Sequence, residues 1–365
     1  MKKIPFNDLS RIHQPIHKKV FTRFSNVVEQ NRFVLNKEIG EFECLFSDFT
    51  NSKYTVSCSS GTDALELILR ALDIGDDDEV IIPTNTFIAT ALAVTRCGAK
   101  PIFVDNDEFY LINPIEVEKK ITKKTRAIIA VNLYGQLTDL KVLRKISTQN
   151  SLYLIEDSAQ SHGAKNQSYT NNQSIAAAYS FYPGKNLGAW GDGGAVTTNN
   201  KKLYEKILLL RNWGSVKKYY HDELGFNSRL QPLQGVVLSE KIKKLEYWNR
   251  LRNNIAEMYF KELEDITTLN LPKVKTGNYH VWHLFVVRVK NRKQILRDFS
   301  KHKVEFGIHY PVPIHRQKAY STHKQYNKKF KLADSYADQL ISLPIFPKME
   351  KSEVKRVVST IKNYT

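Results

Sequence analysis

The sequence predicts an α/β protein: a mixed, mostly parallel central sheet with helices on both faces, a three-layer αβα arrangement, and a smaller C-terminal α+β unit. Between residues 60 and 157, helical and strand segments alternate. The strands there are continuous apolar runs, such as EVIIP, not alternating ones. That is the pattern of a sheet buried on both faces and joined by crossover helices. After residue 157 the rhythm changes, and a soft boundary near 250 separates the α/β core from a shorter α+β stretch.

Taken in order, residues 14–31 place apolar side chains at 16, 20, 24, 27 and 28, the spacing of a helix face. CSSGTDALELILRAL is a turn opening a strong helix, and EVIIP (79–83) is a short buried strand. TFIATALAVTRCG is helical, with Gly98 as its stop. KPIFVD (100–105) reads as a strand, NPIEVEKKI as a helix and AIIAVNLYG (127–135) as a strand. TDLKVLRKISTQ is helical with Thr138 as its N-cap, and SLYLIED (151–157) is the next strand. AAAYSFYP and GGAVTTN are short strands on either side of a Gly-rich loop. Residues 200–212 are helical, and 231–263 form a long helical stretch. VWHLFVVRV (281–289) belongs to a different sheet, and helices over 291–303 and 350–363 complete the chain. The expected division is a large domain with an N-terminal arm over 1–250 and a small domain over 251–365.

Composition narrows the function classes. The 365 residues are 42% hydrophobic, too apolar for a disordered chain, and enough to bury a core without disulfides or metals. No run of about 18 apolar residues marks a membrane span. The basic N-terminus has no apolar segment behind it, so a secretory signal is not expected. Cys44, Cys58 and Cys97 are odd in number and lack metal-ligand spacing, which argues against a disulfide framework or a zinc site and for a cytoplasmic home. The net charge is +18. Its lysines come as scattered pairs, such as Lys119-Lys120 and Lys217-Lys218, which reads as a solvated surface. No nucleic-acid or membrane partner and no metal are expected.

Three places in the α/β half break the rules of a plain core. Ser59-Ser60-Gly61-Thr62 opens a helix, where backbone N–H groups and the dipole suit an anion such as phosphate; an ordinary cap would look the same. Glu156-Asp157 ends an apolar strand, where open α/β sheets bind ligands, though a cap or surface charge is the plainer alternative. Lys185 sits in a loop among Phe181, Tyr182, Pro183, Leu187 and Trp190. Partial desolvation lowers a lysine pKa and makes a usable Schiff-base amine; alternatively the lysine is incidental. The loop is neither a Walker loop nor a dinucleotide fingerprint. Together, a phosphate cradle, an acid and a desolvated lysine are the handles needed for pyridoxal 5'-phosphate.

At this point the chain resembles the DegT-type sugar aminotransferases, of the aspartate aminotransferase fold type (fold type I) of pyridoxal phosphate enzymes. The strings that carry the resemblance include SSGTDAL (59–65), PTNTFIATALAV (83–94), IEDSAQSHGA (155–164), SFYPGKNLGAWGDGGAVTT (180–198), GFNSRLQPLQG (225–235) and HYPVPIHRQKAY (309–320). The resemblance implies that Lys185 holds the cofactor and shuttles the proton, while Asp157 binds the pyridinium nitrogen. Gln160 lies near the 3-hydroxyl and Phe87 stacks on the ring. Gly61, Thr62 and Ser180 bind the phosphate, and Asn227 reaches the phosphate of the neighbouring subunit's cofactor. A homodimer with shared active sites is implied. Position 132 is Asn where the family commonly has His, and position 161 is Ser where Ala is common.

The family's substrates are mostly nucleotide-linked keto-sugars, with L-glutamate as amino donor and 2-oxoglutarate as its product. Tyr182, His309, Tyr310 and His315 are the candidate substrate contacts. The GDGGA stretch after the lysine resembles members acting at C3, so the expected reaction forms a dTDP-3-amino-3,6-dideoxyhexose from the 3-keto-6-deoxy sugar, for surface polysaccharide or glycoside biosynthesis. A C4 aminotransferase or a dehydratase using the same cofactor is the nearest alternative, and a non-catalytic regulator a further one.

Overall fold

The computed structural model describes residues 2–167 and 173–363. Helices α1 (Ser10–His13), α2 (His17–Glu29) and α3 (Lys37–Thr50) lead into strand β1 (Tyr54–Cys58) and helix α4 (Gly61–Ala71). Then β2 (Glu79–Pro83), α5 (Ala89–Arg96), β3 (Lys100–Val104), α6 (Pro114–Glu118), β4 (Thr125–Val131), α7 (Leu140–Gln149) and β5 (Tyr153–Asp157) alternate. A short β6 (Lys165–Asn166) precedes β7 (Ala176–Ser180), β8 (Gly194–Thr198) and α8 (Lys201–Arg211). The hairpin β9 (Ser215–Lys217) and β10 (Tyr220–His221) stands before the long helix α9 (Pro232–Leu263). The chain closes with β11 (Leu269–Asn270), β12 (Asn278–Tyr279), β13 (Phe285–Val289), α10 (Arg292–Lys301), α11 (Lys331–Ala337), β14 (Leu340–Leu343) and α12 (Lys351–Lys362).

The central sheet has seven strands in the order β1-β8-β7-β5-β4-β2-β3. From β3 to β7 all pairings are parallel, and β8 pairs antiparallel with both β7 and β1. The covered sheet with parallel connections expected from the apolar runs is what forms, and the antiparallel β8 and β1 make it mixed. Alternate residues of each strand explain those runs. Val80, Ile82, Ala127, Ile129 and Ile155 pack with α4 and α5, whereas Ile81, Ile128 and Leu154 pack with Leu140, Leu143 and Ile146 of α7. Both faces are covered, so neither side-chain set can be polar.

One local expectation needs correction. The N-cap of α7 is Asp139, whose carboxylate accepts from Val142 N at 3.2 Å; Thr138 lies one residue earlier and is buried. The expected boundary at 250 falls inside the unbroken helix α9. The second core draws on Ile255, Tyr259 and Leu263 of that helix, with β13, β14, α10 and α12. It also takes Ile4 from the far end of the chain. A three-stranded antiparallel sheet, β11-β13-β14, forms its floor.

Candidate active site

The carboxyl ends of the parallel strands open on one edge of the sheet, and Asp157, Ser180 and Gly61 stand there. Asp157 is the last residue of β5 and Ser180 the last of β7; Gly61 begins α4 beside them. Helix α4 is capped by Ser60, whose hydroxyl accepts from Asp63 N at 3.1 Å and whose carbonyl accepts from Ala64 N at 2.9 Å. Helix geometry leaves the Gly61 and Thr62 N–H groups without an internal partner. A Cβ on Gly61 would stand 2.6 Å from Ser180 Cβ. Glycine at this position lets the helix start close against the end of β7, where an anion can be held by backbone N–H and hydroxyl together.

The loop between β7 and β8 is held firmly. Phe181 N donates to Gly193 O and Ala189 N to Phe181 O, both at 2.7 Å. Phe181, Leu187 and Ala189 are buried among Phe42, Phe46 and Leu238. Lys241 of α9, itself fully buried, donates to Gly188 O from beneath. Lys185 rides on this scaffold, half-buried, its N–H on Tyr182 O at 2.9 Å. Burial pushes its amine down to about 8, against the opposing pull of Asp157. At neutral pH it carries an appreciable neutral fraction, which a nucleophilic amine requires.

Asp157 is buried, and burial raises its pKa. Two donors counter this: Thr90 Oγ1 at 2.8 Å and Ala159 N at 3.2 Å. A buried carboxylate so held is prepared for a cationic ring nitrogen. Its main chain is fixed too, since Asn132 N donates to Asp157 O at 3.0 Å. The Asn132 amide braces the residues on either side, donating to Glu156 Oε2 at 2.9 Å and Ser158 Oγ at 3.0 Å. The departure at 132 is therefore built into a complete network. Gln160 accepts from Tyr134 N at 2.8 Å and donates to Tyr310 Oη at 3.0 Å. The Phe87 ring is 53% exposed at the mouth, 5.8 Å from the Tyr310 ring, and so offers a free face.

His309 holds Ser342 Oγ through Nδ1 at 2.7 Å, and burial beside the Lys185 charge pushes it down to about 4. Tyr182 is exposed next to the lysine. Asn227 is exposed as well, forming a bridge with Asn212 on the outer side of this chain. His315 does not join the others. It is fully buried, with Nδ1 2.7 Å from Thr84 Oγ1, Nε2 3.0 Å from Asp334 Oδ1, and its ring against Phe330. It locks its loop to β2 and leaves no surface for a substrate.

Sequence reasoning missed Thr90, a buried polar residue in the first turn of α5 that could have been flagged. It missed His283, whose Nδ1 is 3.3 Å from the Asn186 side chain next to Lys185. It also missed Phe6 and Asn7, which come from the remote N-terminus.

The residues present fit pyridoxal phosphate: a helix start without a Cβ for the phosphate, a buried acid for the ring nitrogen, and an amine of lowered pKa. Fold and site together define an aminotransferase that uses this cofactor. The chain belongs to the DegT/DnrJ/EryC1/StrS aminotransferase family, whose model matches residues 14–362. It is 43% identical over 363 residues to a dTDP-3-amino-3,6-dideoxy-alpha-D-galactopyranose transaminase of Aneurinibacillus thermoaerophilus, covering 99% of both chains. A crystal structure of DesV from S. venezuelae in complex with a ketimine intermediate matches with a TM-score of 0.97 and 37% identity, over 100% of this chain and 99% of that one. NtdA from Bacillus subtilis with bound cofactor PMP matches with a TM-score of 0.93 and 29% identity, over 100% of this chain and 85% of that one. Among the described residues no helix is long and apolar enough to cross a membrane.

Proposed function

We propose that this enzyme transfers the amino group of L-glutamate to C3 of a dTDP-linked 3-keto-6-deoxyhexose, giving the 3-amino-3,6-dideoxy sugar, in the cytoplasm, for surface polysaccharide or glycoside biosynthesis. The observation that carries the reading is the pairing of Lys185, its pKa lowered by burial, with the buried Asp157, close enough for their charges to interact. The 43% identical relative, named for a 3-amino-3,6-dideoxy sugar, supports the choice of C3.

Bound pyridoxal phosphate supplies the electron sink that stabilises a carbanion next to nitrogen. Lys185 would hold the cofactor through its amine, and once displaced by the amino donor that amine would be the base that moves the substrate's proton. The same amine would return a proton to the sugar carbon from one face. Asp157, whose carboxylate accepts from Thr90, would keep the ring nitrogen protonated. Gly61, Thr62 and Ser180 would hold the phosphate, and Phe87 and Gln160 would contact the ring. Tyr182, His309 and Tyr310 line the sugar side.

The working unit in this reading is a homodimer with shared sites, with Asn227 reaching the partner's phosphate. Large apolar side chains stand exposed on and just after α2 (Phe21 at 56%, Val28 and Phe33) and in the β9–β10 region (Tyr220, and Leu224 at 95%). Such exposure supports a surface covered by another protein.

The test is product analysis. Enzyme, glutamate and a dTDP-3-keto-6-deoxyhexose are expected to give the amino sugar by mass spectrometry, and Lys185→Ala none. Amination of 4-keto sugars alone would refute the C3 assignment, and loss of water without amination would refute transamination.

A further inference from the structure

The N-terminal segment runs from the small core to the lysine loop. Ile4 forms a parallel bridge with Val304, donating to Lys303 O and accepting from Glu305 N, both at 2.9 Å. Phe6 N donates to Glu305 Oε2 at 2.8 Å, and Lys3 pairs with the same carboxylate. Further on, Arg11 grips Glu353 with two bonds of 2.7 and 2.8 Å. Between these anchors the chain passes the site. The Phe6 ring stacks on His309 at 5.7 Å and 24°. Asn7 Nδ2 lies 3.4 Å from Gly184 O, the residue before Lys185. Asn7 Oδ1 has no protein partner among the described residues, and both side chains are only partly buried. Phe6 thus reaches His309, and Asn7 reaches the residue before Lys185.

Their chemistry selects between the two substrates. Glutamate carries two carboxylates, which need cationic donors. Phe6 and Asn7 offer an apolar ring and a neutral amide. A 6-deoxyhexose presents C–H faces and hydroxyls, which suit an apolar wall with one well-placed polar group. We propose that Phe6 and Asn7 form part of the hexose subsite and determine which keto-sugar is accepted, while taking no part in the reaction with glutamate. This rests on the nucleotide-sugar reading above.

The experiment separates the half-reactions by absorbance of the full-length, cofactor-loaded enzyme. Glutamate bleaches the visible band, and so, in reverse, does a dTDP-3-amino-3,6-dideoxyhexose. For Asn7→Ala and Phe6→Ala the glutamate reaction is expected to stay within about twofold of wild type, while kcat/KM for the amino sugar falls by about tenfold or more, chiefly through KM. Binding of dTDP alone, which lacks the hexose, stays unchanged by fluorescence titration. Phe6→Leu keeps the strap packed and separates loss of the ring from loss of the fold. Equal losses with both substrates, or no loss with the sugar, would overturn the proposal. A wild-type enzyme that bleaches with glutamate but with no dTDP-sugar refutes the underlying reading instead, and the hexose subsite with it.

Discussion

Gly61 abuts Ser180 so closely that a Cβ would stand 2.6 Å from the serine Cβ. The start of α4 and the end of β7 therefore converge on one point, and each limits the other. Gly61→Ala is expected to push Ser180 aside and weaken cofactor binding by about tenfold or more, the size of one or two lost charge-assisted hydrogen bonds. Spectral titration of the apoprotein with pyridoxal phosphate measures this. Unchanged affinity would remove the phosphate from this corner.

Thr90 supplies one of two donors to the buried Asp157 carboxylate. Burial raises that pKa and the hydroxyl lowers it. Thr90→Val removes the lowering contribution, so the acid limb of the kcat/KM profile moves toward neutral pH, with a fall of about tenfold at its optimum. Asp157→Asn, which cannot ionise, is expected to cost orders of magnitude at every pH. A Thr90→Val profile that overlays the wild type would show that the hydroxyl has no role in holding the acid.

Burial pushes the Lys185 amine down from its ordinary 10.5 to about 8. Only the neutral amine attacks an aldehyde. The rate of cofactor capture by the apoprotein should rise with pH and level off above about 8. A rate still climbing steeply at pH 10 would contradict a desolvated lysine.

Lys241 lies fully buried under the lysine loop and is pushed down to about 7 by burial, with His13 Nε2 3.3 Å from its amine. In the unfolded chain the amine titrates near 10.4. Between these values the unfolded state holds a proton that the native state lacks, so stability rises with pH across that window. Below it, both states are protonated and the cost of the buried charge is fully present. Lys241→Met is expected to remove this slope, at most about 1.4 kcal/mol per pH unit. Urea unfolding at pH 7, 8 and 9 compares the two proteins. Parallel curves would place the native Lys241 proton elsewhere.

The legible parts of the sequence are those where one physical cause acts alone. EVIIP reads as a strand and forms Glu79–Pro83 because both its faces are apolar. The stretch 231–263 forms Pro232–Leu263, with proline at its first turn. Strand β1 was not legible: Thr55 and Ser57 interrupt its apolar pattern, and Ser57 is spent on Glu43 and Arg211. The stripe Ile39, Phe42, Phe46 of α3 has helical spacing but lies in a segment broken by Gly40 and several acids.

The site divides in the same way. Asp157, Gly61 and Lys185 stand at a strand end, a helix start and a glycine-rich loop, where local rules mark them; Ser180 enters through the family resemblance. Thr90, His283, Phe6 and Asn7 reach the site only because the fold carries them across the chain. His315 shows the converse: its loop reads as a substrate contact, yet Thr84 and Asp334 turn it inward.

The central claim is that Lys185 carries the cofactor and surrenders it to glutamate. Borohydride reduction of the cofactor-loaded protein, followed by peptide mass mapping, tests this most directly. The account predicts a pyridoxyl adduct on the peptide containing Lys185, and its loss when glutamate is added before the reductant. An adduct on another lysine, or one on Lys185 that glutamate leaves untouched, would contradict it.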